Sequence, residues 1–251
     1  MSVNQEDYKH SLEILLIAQD IANTAGSYPT EKIAQRSPEF GTTGLGYANL
    51  GALLMRKGLP YDSEEGRAQA SLLTAILHGQ ANLVSTKMAR DLGTFVHYDL
   101  NKKEMQQVME KHRKYLDTKI KWDLIGDEEA KSQVIQLWDE VLKQGQEHGF
   151  RNAQVTVLAP TGTIQFLMGC DTGGVEPAYA LITYKNLAGG GNLKLTVAEV
   201  PNSLKNLGLI RVSKNKTILT NNGNDVLSNL ALIDETGQLT EIGNKVYTSF
   251  K

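Results

Sequence analysis

Apolar residues recur at helical spacing through most of the first 150 positions. Ile14, Ile17, Ala18, Ile21 and Ala25 fall on one stripe, which predicts an amphipathic, core-forming helix ended by Gly26. After the break Ser27-Tyr28-Pro29-Thr30, a short helix is expected over Glu31 to Gln35. Asp62 with Glu65 reads as a capping box opening a long helix from Ser63 to Leu92, stopped by Gly93. Asn101 with Glu104 repeats that signature and opens a helix to about Leu116; another runs from Asp127 to His148, before Gly149. At Gln154 the period changes. Gln154-Val155-Thr156-Val157-Leu158 alternates and is β-branched, so it suits a strand, while Ile164 to Met168 forms a helical turn. The pattern as a whole is α/β with a helix-rich first half.

The loop joining that strand to that turn, Ala159-Pro160-Thr161-Gly162-Thr163-Ile164, is the strongest chemical candidate. Backbone N–H groups at a helix start lack intrahelical partners and favour an anion. Gly162 has no Cβ to hold a phosphate away, and Thr161 and Thr163 offer hydroxyls. The alternative from spacing alone is an N-cap that binds nothing. Gly44-Leu45-Gly46 begins like a dinucleotide fingerprint but fails at Asn49, where a third glycine belongs. It is better read as a close strand-to-helix turn, with Tyr47 to Arg56 as the helix.

Composition narrows the classes. With 251 residues, of which 41% are hydrophobic, the chain has enough apolar material for one large or two small domains. A net charge of −2 suggests neither a nucleic-acid surface nor a membrane patch. The run Leu12 to Ala18 is too short to span a bilayer, and no basic segment precedes an apolar one at the amino end, so a soluble, cytoplasmic protein is expected. The single cysteine, Cys170, excludes an internal disulfide and a multi-cysteine zinc site. No metal site is expected. His78, His97 and His112 show no i,i+4 ligand pairing and are assigned no chemistry; His148 at a helix end reads as a dipole-stabilised surface residue.

Four blocks in order carry a family resemblance. They are Gly44 to Met55, Gly149 to Ile164, Met168-Gly169-Cys170-Asp171-Thr172-Gly173-Gly174-Val175-Glu176-Pro177, and Leu187-Ala188-Gly189-Gly190-Gly191. The chain closely resembles class II, adenosylcobalamin-dependent ribonucleotide reductase from about Asp7 to about Leu209. The resemblance implies a partial α/β barrel of the reductase type, in which this chain supplies the later strands of a ten-stranded barrel and their helices. It also implies that Thr161, Gly162, Thr163 and Ile164 hold the substrate phosphates. Gly169 stands where the family usually has aspartate, Gly173 where it has threonine and Val175 where it has isoleucine. The first of these leaves the loop one hydrogen-bonding side chain short.

For the complete enzyme, the resemblance implies an oxidoreductase of the ribonucleoside-diphosphate reductase type using adenosylcobalamin, a thiyl radical and a thioredoxin-like reductant. The family's radical motif, Asn-Pro-Cys-x-Glu, is absent here, and one cysteine cannot be both radical and dithiol. The expectation is therefore no catalytic residue in this chain, inactivity alone, and an amino-terminal reductase polypeptide as partner. A non-catalytic nucleotide-binding protein or a purely structural partner chain are the alternatives. Cys170 is not one of the family's catalytic cysteines and reads as a small buried hydrophobe rather than a reactive thiol. Glu176 reads equally as an orienting carboxylate and as a turn residue before proline. Gly189-Gly190-Gly191 is expected to form an ordered turn. Residues 210–251 form a divergent tail after a reductase domain at 1–209, with a short helix possible over Asp225 to Ile233 and a hairpin or helix over Leu239 to Phe250.

Overall fold

The computed structural model describes residues 4–186, 189–213, 216–220 and 222–223. In chain order the elements are α1 (Gln5–Ala25), α2 (Glu31–Phe40), α3 (Leu50–Lys57), α4 (Glu64–Leu92), α5 (Tyr98–Thr118), α6 (Trp122–Ile125), α7 (Glu128–His148), α8 (Ile164–Leu167), β1 (Ile182–Asn186), β2 (Asn192–Thr196), α9 (Val200–Asn206), β3 (Ile210–Ser213) and β4 (Lys216–Leu219). They divide into two compact units, one of residues 1–47 and 62–160, the other of residues 48–61 and 161–251.

The first unit is helical, as the apolar pattern predicts. Asn4 caps α1, Ser63 caps α4 by accepting from the Gly66 amide at 3.0 Å, and Asp127 caps α7 by accepting from the Ala130 amide at 2.9 Å. Ser63 takes the role the sequence assigned to Asp62, which instead pairs with Arg67 at 2.7 Å. The core gathers Leu16, Ile76, Leu77, Val84, Val134, Trp138, Val141 and Phe150, all at most 2% exposed. Trp138 fills its place by donating its indole N–H to the Ala75 carbonyl at 3.0 Å.

Several expectations are corrected here. On α1 the buried residues are Leu12, Leu16 and Asp20, whereas Ile14, Ile17 and Ile21 are 53%, 37% and 58% exposed. Helix α2 continues past Gln35 and through Pro38 to Phe40. The carbonyls of Glu39 and Phe40 accept from Val96 and Ala153 at 2.9 and 2.8 Å, so partners distant in sequence satisfy the helix end. Helix α5 starts at Tyr98, three residues before Asn101, because Tyr98 is buried edge-on against Phe95 with ring centroids 5.5 Å apart. Asn101 lies within the helix and donates to the His97 carbonyl at 2.8 Å. Helix α6 has no signal in the pattern; its Trp122 is buried with the indole donating to the Leu116 carbonyl at 2.8 Å.

The strand expected at Gln154 takes the form of a short parallel pairing with residues 43–45. Thr43 and Leu45 donate to the Gln154 and Val155 carbonyls, and Val157 donates back to Leu45, each at 2.9 Å. Gly46 allows this approach, since a Cβ there would lie 2.3 Å from the Val157 oxygen.

The second unit holds α3, α8, α9 and two antiparallel two-stranded sheets, β1–β2 and β3–β4, with Asn186 opposite Asn192 and Ser213 opposite Lys216. Helix α3 starts at Leu50 instead of Tyr47, because Asn49 sits in the left-handed region at φ 71°. Gly190 and Gly191, at φ 89° and 87°, turn the chain between β1 and β2. Residues 187 and 188 of that connection, the expected helix over Asp225 to Ile233 and the element over Leu239 to Phe250 lie outside the described residues. Among the described residues the fold is helix-rich with small sheets, and residues 43–45 and 154–157 make a short parallel pairing.

Candidate functional site

The loop at 161–164 belongs to the second unit. Two successive residues are left-handed, Thr161 at φ 66° and Gly162 at φ 59°, and Thr163 then turns right-handed at φ −68° to start α8. A threonine in that region is strained, and its side chain is held: Thr161 Oγ1 accepts from the Gly174 amide at 3.0 Å. Gly162, Thr163 and Ile164 are exposed, and a Cβ at Gly162 would meet nothing within 4 Å. Among the described hydrogen bonds none uses the amides of these three residues. Thr163 makes no side-chain cap on α8, so the simple N-cap reading does not describe it. Consecutive amides in mixed-handed backbone form a concavity suited to an anion.

The supporting wall joins two segments far apart in sequence. Asn49 Oδ1 accepts from the Thr172 amide at 3.0 Å, Thr172 Oγ1 accepts from the Ala52 amide at 3.4 Å, and Thr172 is 3% exposed. Gly51 fits because its missing side chain would stand 2.8 Å from the Glu176 carbonyl oxygen. Asp171 accepts from the amides of Ala198 and Glu199 at 3.0 and 2.9 Å, and the Glu199 carboxylate in turn accepts from Arg56 Nε and Nη2. Glu176 accepts from the Tyr179 phenol at 2.7 Å, which pushes that phenol's pKa up. One cation escaped the sequence reading: Lys185 Nζ stands 4.1 Å over the ring of Phe166, two residues beyond Ile164.

A sequence model of the family described as ribonucleotide reductase, barrel domain, matches residues 1–251. The chain belongs to this family. It is 49% identical over 207 residues to a vitamin B12-dependent ribonucleotide reductase of Rhodopirellula baltica, covering 82% of this chain and 20% of the relative. A vitamin B12-dependent ribonucleotide reductase of Agrobacterium fabrum is 41% identical over 215 residues, with 80% and 17% covered. A ribonucleoside-diphosphate reductase subunit alpha of Chlamydia pneumoniae is 26% identical over 209 residues, with 82% and 19% covered. The chain thus spans about one fifth of the length of these three relatives.

Within this barrel-domain chain, the remaining polar candidates are structural in character. Cys170 is half-buried, and burial, then the neighbouring Asp171 carboxylate, push its thiol pKa up, the reverse of an activated thiolate. His148 and His97 lie 3.7 and 3.6 Å from Glu147 and Glu39. Among the described residues no three His, Cys, Asp or Glu side chains converge as a metal site, and no helix is long and apolar enough to cross a membrane.

Proposed function

We propose that this chain supplies the substrate-phosphate cradle and part of the α/β barrel of a vitamin B12-dependent ribonucleotide reductase, with Thr161, Gly162, Thr163 and Ile164 as the phosphate-binding residues. The observation that carries the reading is the left-handed pair Thr161-Gly162, followed by exposed amides of Thr163 and Ile164 that donate to no described protein group. A phosphate held there would orient the ribose without any side-chain charge, and positioning of this kind supplies much of the barrier reduction in bimolecular chemistry.

In the complete enzyme the reaction replaces the ribose 2′-hydroxyl by hydrogen. Adenosylcobalamin supplies the radical chemistry, a thiyl radical and a dithiol act on the ribose, and a thioredoxin-like protein restores the dithiol. The residues of this chain do not fit the sulfur side of that scheme. Cys170 is its one cysteine, half-buried and raised in pKa, so no catalytic step runs through it. The chain is inactive alone and works with an amino-terminal reductase polypeptide bearing the radical motif. The outward apolar face of α1, with Ile14, Ile17 and Ile21, favours such a polypeptide partner, because unpaired apolar surface of this kind marks an interaction site. Function as a structural partner chain alone rests on the same face. The divergent character of residues 210–251 belongs to the same proposal.

Calorimetry with ribonucleoside di- and triphosphates tests the cradle, with Thr163→Val as control. Saturable binding supports the amide cradle and its absence removes it; weaker binding by the variant adds the Thr163 hydroxyl to the cradle, and equal binding leaves it to the amides. Reconstitution with a polypeptide carrying the Asn-Pro-Cys-x-Glu motif, adenosylcobalamin and dithiol tests the rest. Deoxyribonucleotide formation by the isolated chain would overturn the division of labour.

A further inference from the structure

The first unit contains a cavity of about 600 Å³, lined by residues between Ala70 and Leu158. Its size falls in the range of small-molecule sites, about 300 to 1,000 Å³. Its floor is an aromatic cluster from three helices. The rings of His78 on α4 and His112 on α5 lie 4.8 Å apart, and each lies against Trp138 of α7, at 5.6 and 5.8 Å. Trp138 is fixed by its hydrogen bond to Ala75, and His78 Nδ1 sits 2.9 Å from Thr156 Oγ1. Beside the cluster, Arg113 bonds both Asp139 at 2.6 Å and Asp117 at 2.8 Å, which ties the His112 turn of α5 to the Trp138 turn of α7.

Two features set the chemistry. Among the described hydrogen bonds, none uses a ring nitrogen of His112, although the ring lines the cavity; a half-buried imidazole in that state offers one donor and one acceptor to an occupant. The lining also contains Lys119 and no carboxylate. Lys119 follows His112 by seven residues, just past the end of α5 and roughly 10 Å away along the helix axis, a span that a flexible ammonium shortens. An occupant therefore meets aromatic faces, a hydrogen-bonding imidazole and, at one end, a positive charge.

We propose that this cavity binds a planar heteroaromatic molecule bearing an anionic group, its ring against His112 and its anion toward Lys119. Burial and the neighbouring histidine keep His78 neutral, and His112 is shifted the same way by burial and Lys111, so the floor presents uncharged rings at neutral pH. The site is independent of the phosphate loop, and neither reading needs the other.

The probe is quinoline-4-carboxylate, titrated calorimetrically into the 251-residue chain. Naphthalene-1-carboxylate, which lacks the ring nitrogen, and quinoline, which lacks the anion, serve as comparisons. Saturable binding is expected, at least tenfold weaker for each comparison compound and for His112→Leu and Lys119→Met. Absence of saturable binding overturns the proposal, as does binding unchanged in His112→Leu or equal for the naphthoate, which would mean an apolar surface only. Should a variant lose its fold by circular dichroism, the His112 ring resonances of the unaltered chain decide: they must move as the probe saturates, and if they stay fixed the site is not there.

Discussion

Asn152 donates from Nδ2 to Asp20 Oδ1 at 2.8 Å, joining residues 132 positions apart inside the first unit. The same nitrogen donates to the Gly41 carbonyl at 2.8 Å, Asn152 Oδ1 accepts from Ser85 at 2.9 Å, and Arg151 Nε lies 3.4 Å from Asp20 Oδ2. Asn152 is fully buried and Asp20 is 4% exposed. Asn152→Leu would leave the Asp20 carboxylate and the Ser85 hydroxyl short of partners. A loss of about 3 kcal/mol is expected, read as a lower urea midpoint; a midpoint within error of the unaltered chain would show that the hub contributes nothing.

Gly46 gives a second, purely steric test. An alanine Cβ would lie 2.3 Å from the Val157 carbonyl oxygen, beside the parallel pairing of Leu45 with Thr156. Gly46→Ala should destabilise by about 2 kcal/mol through forced backbone displacement, with faster hydrogen exchange at the Val157 amide. Unchanged protection there would rule out the close approach.

His78 makes stability depend on pH. Burial, then His112, lower its pKa from 6.5 to about 4. The folded state therefore binds fewer protons than the unfolded state between these values, and stability rises with pH through that window. The contribution is complete above about 6.5 and is lost as pH falls toward 4. Between pH 7 and pH 5 the expected loss is about 2 kcal/mol. His78→Gln should flatten that part of the curve in urea titrations, and a slope as steep as before would assign it to other groups.

Gly162 and Gly208 form a matched pair in the second unit, at φ 59° and 71°, and a Cβ at either would meet nothing within 4 Å. Alanine at each should cost about 1 kcal/mol from the left-handed backbone alone. Under the phosphate-cradle proposal, Gly162→Ala should also weaken ribonucleotide binding at least tenfold, while Gly208→Ala leaves it unchanged. Equal effects on binding would mean that the loop senses only general destabilisation.

What the sequence by itself determined were local features. Asp127, Gly93 and Gly149 mark helix ends by their own backbone and side-chain chemistry, and the Thr161-Gly162 loop before α8 was legible from residue type alone. The family was legible as well, through four ordered blocks of residues. Tertiary structure decided the rest. Helix α1 has two apolar stripes, and periodicity favoured the one with Ile14, Ile17 and Ile21; the Asp20–Asn152 bond turns Leu12 and Leu16 inward instead. Burial of Tyr98 moved the start of α5 ahead of its apparent capping box. The His78, His112 and Trp138 cluster joins residues 34 and 26 positions apart, which no local spacing rule connects. Hydrogen bonding within a helical turn is a property of neighbours in the chain, whereas the choice of buried face belongs to partners that folding alone brings together.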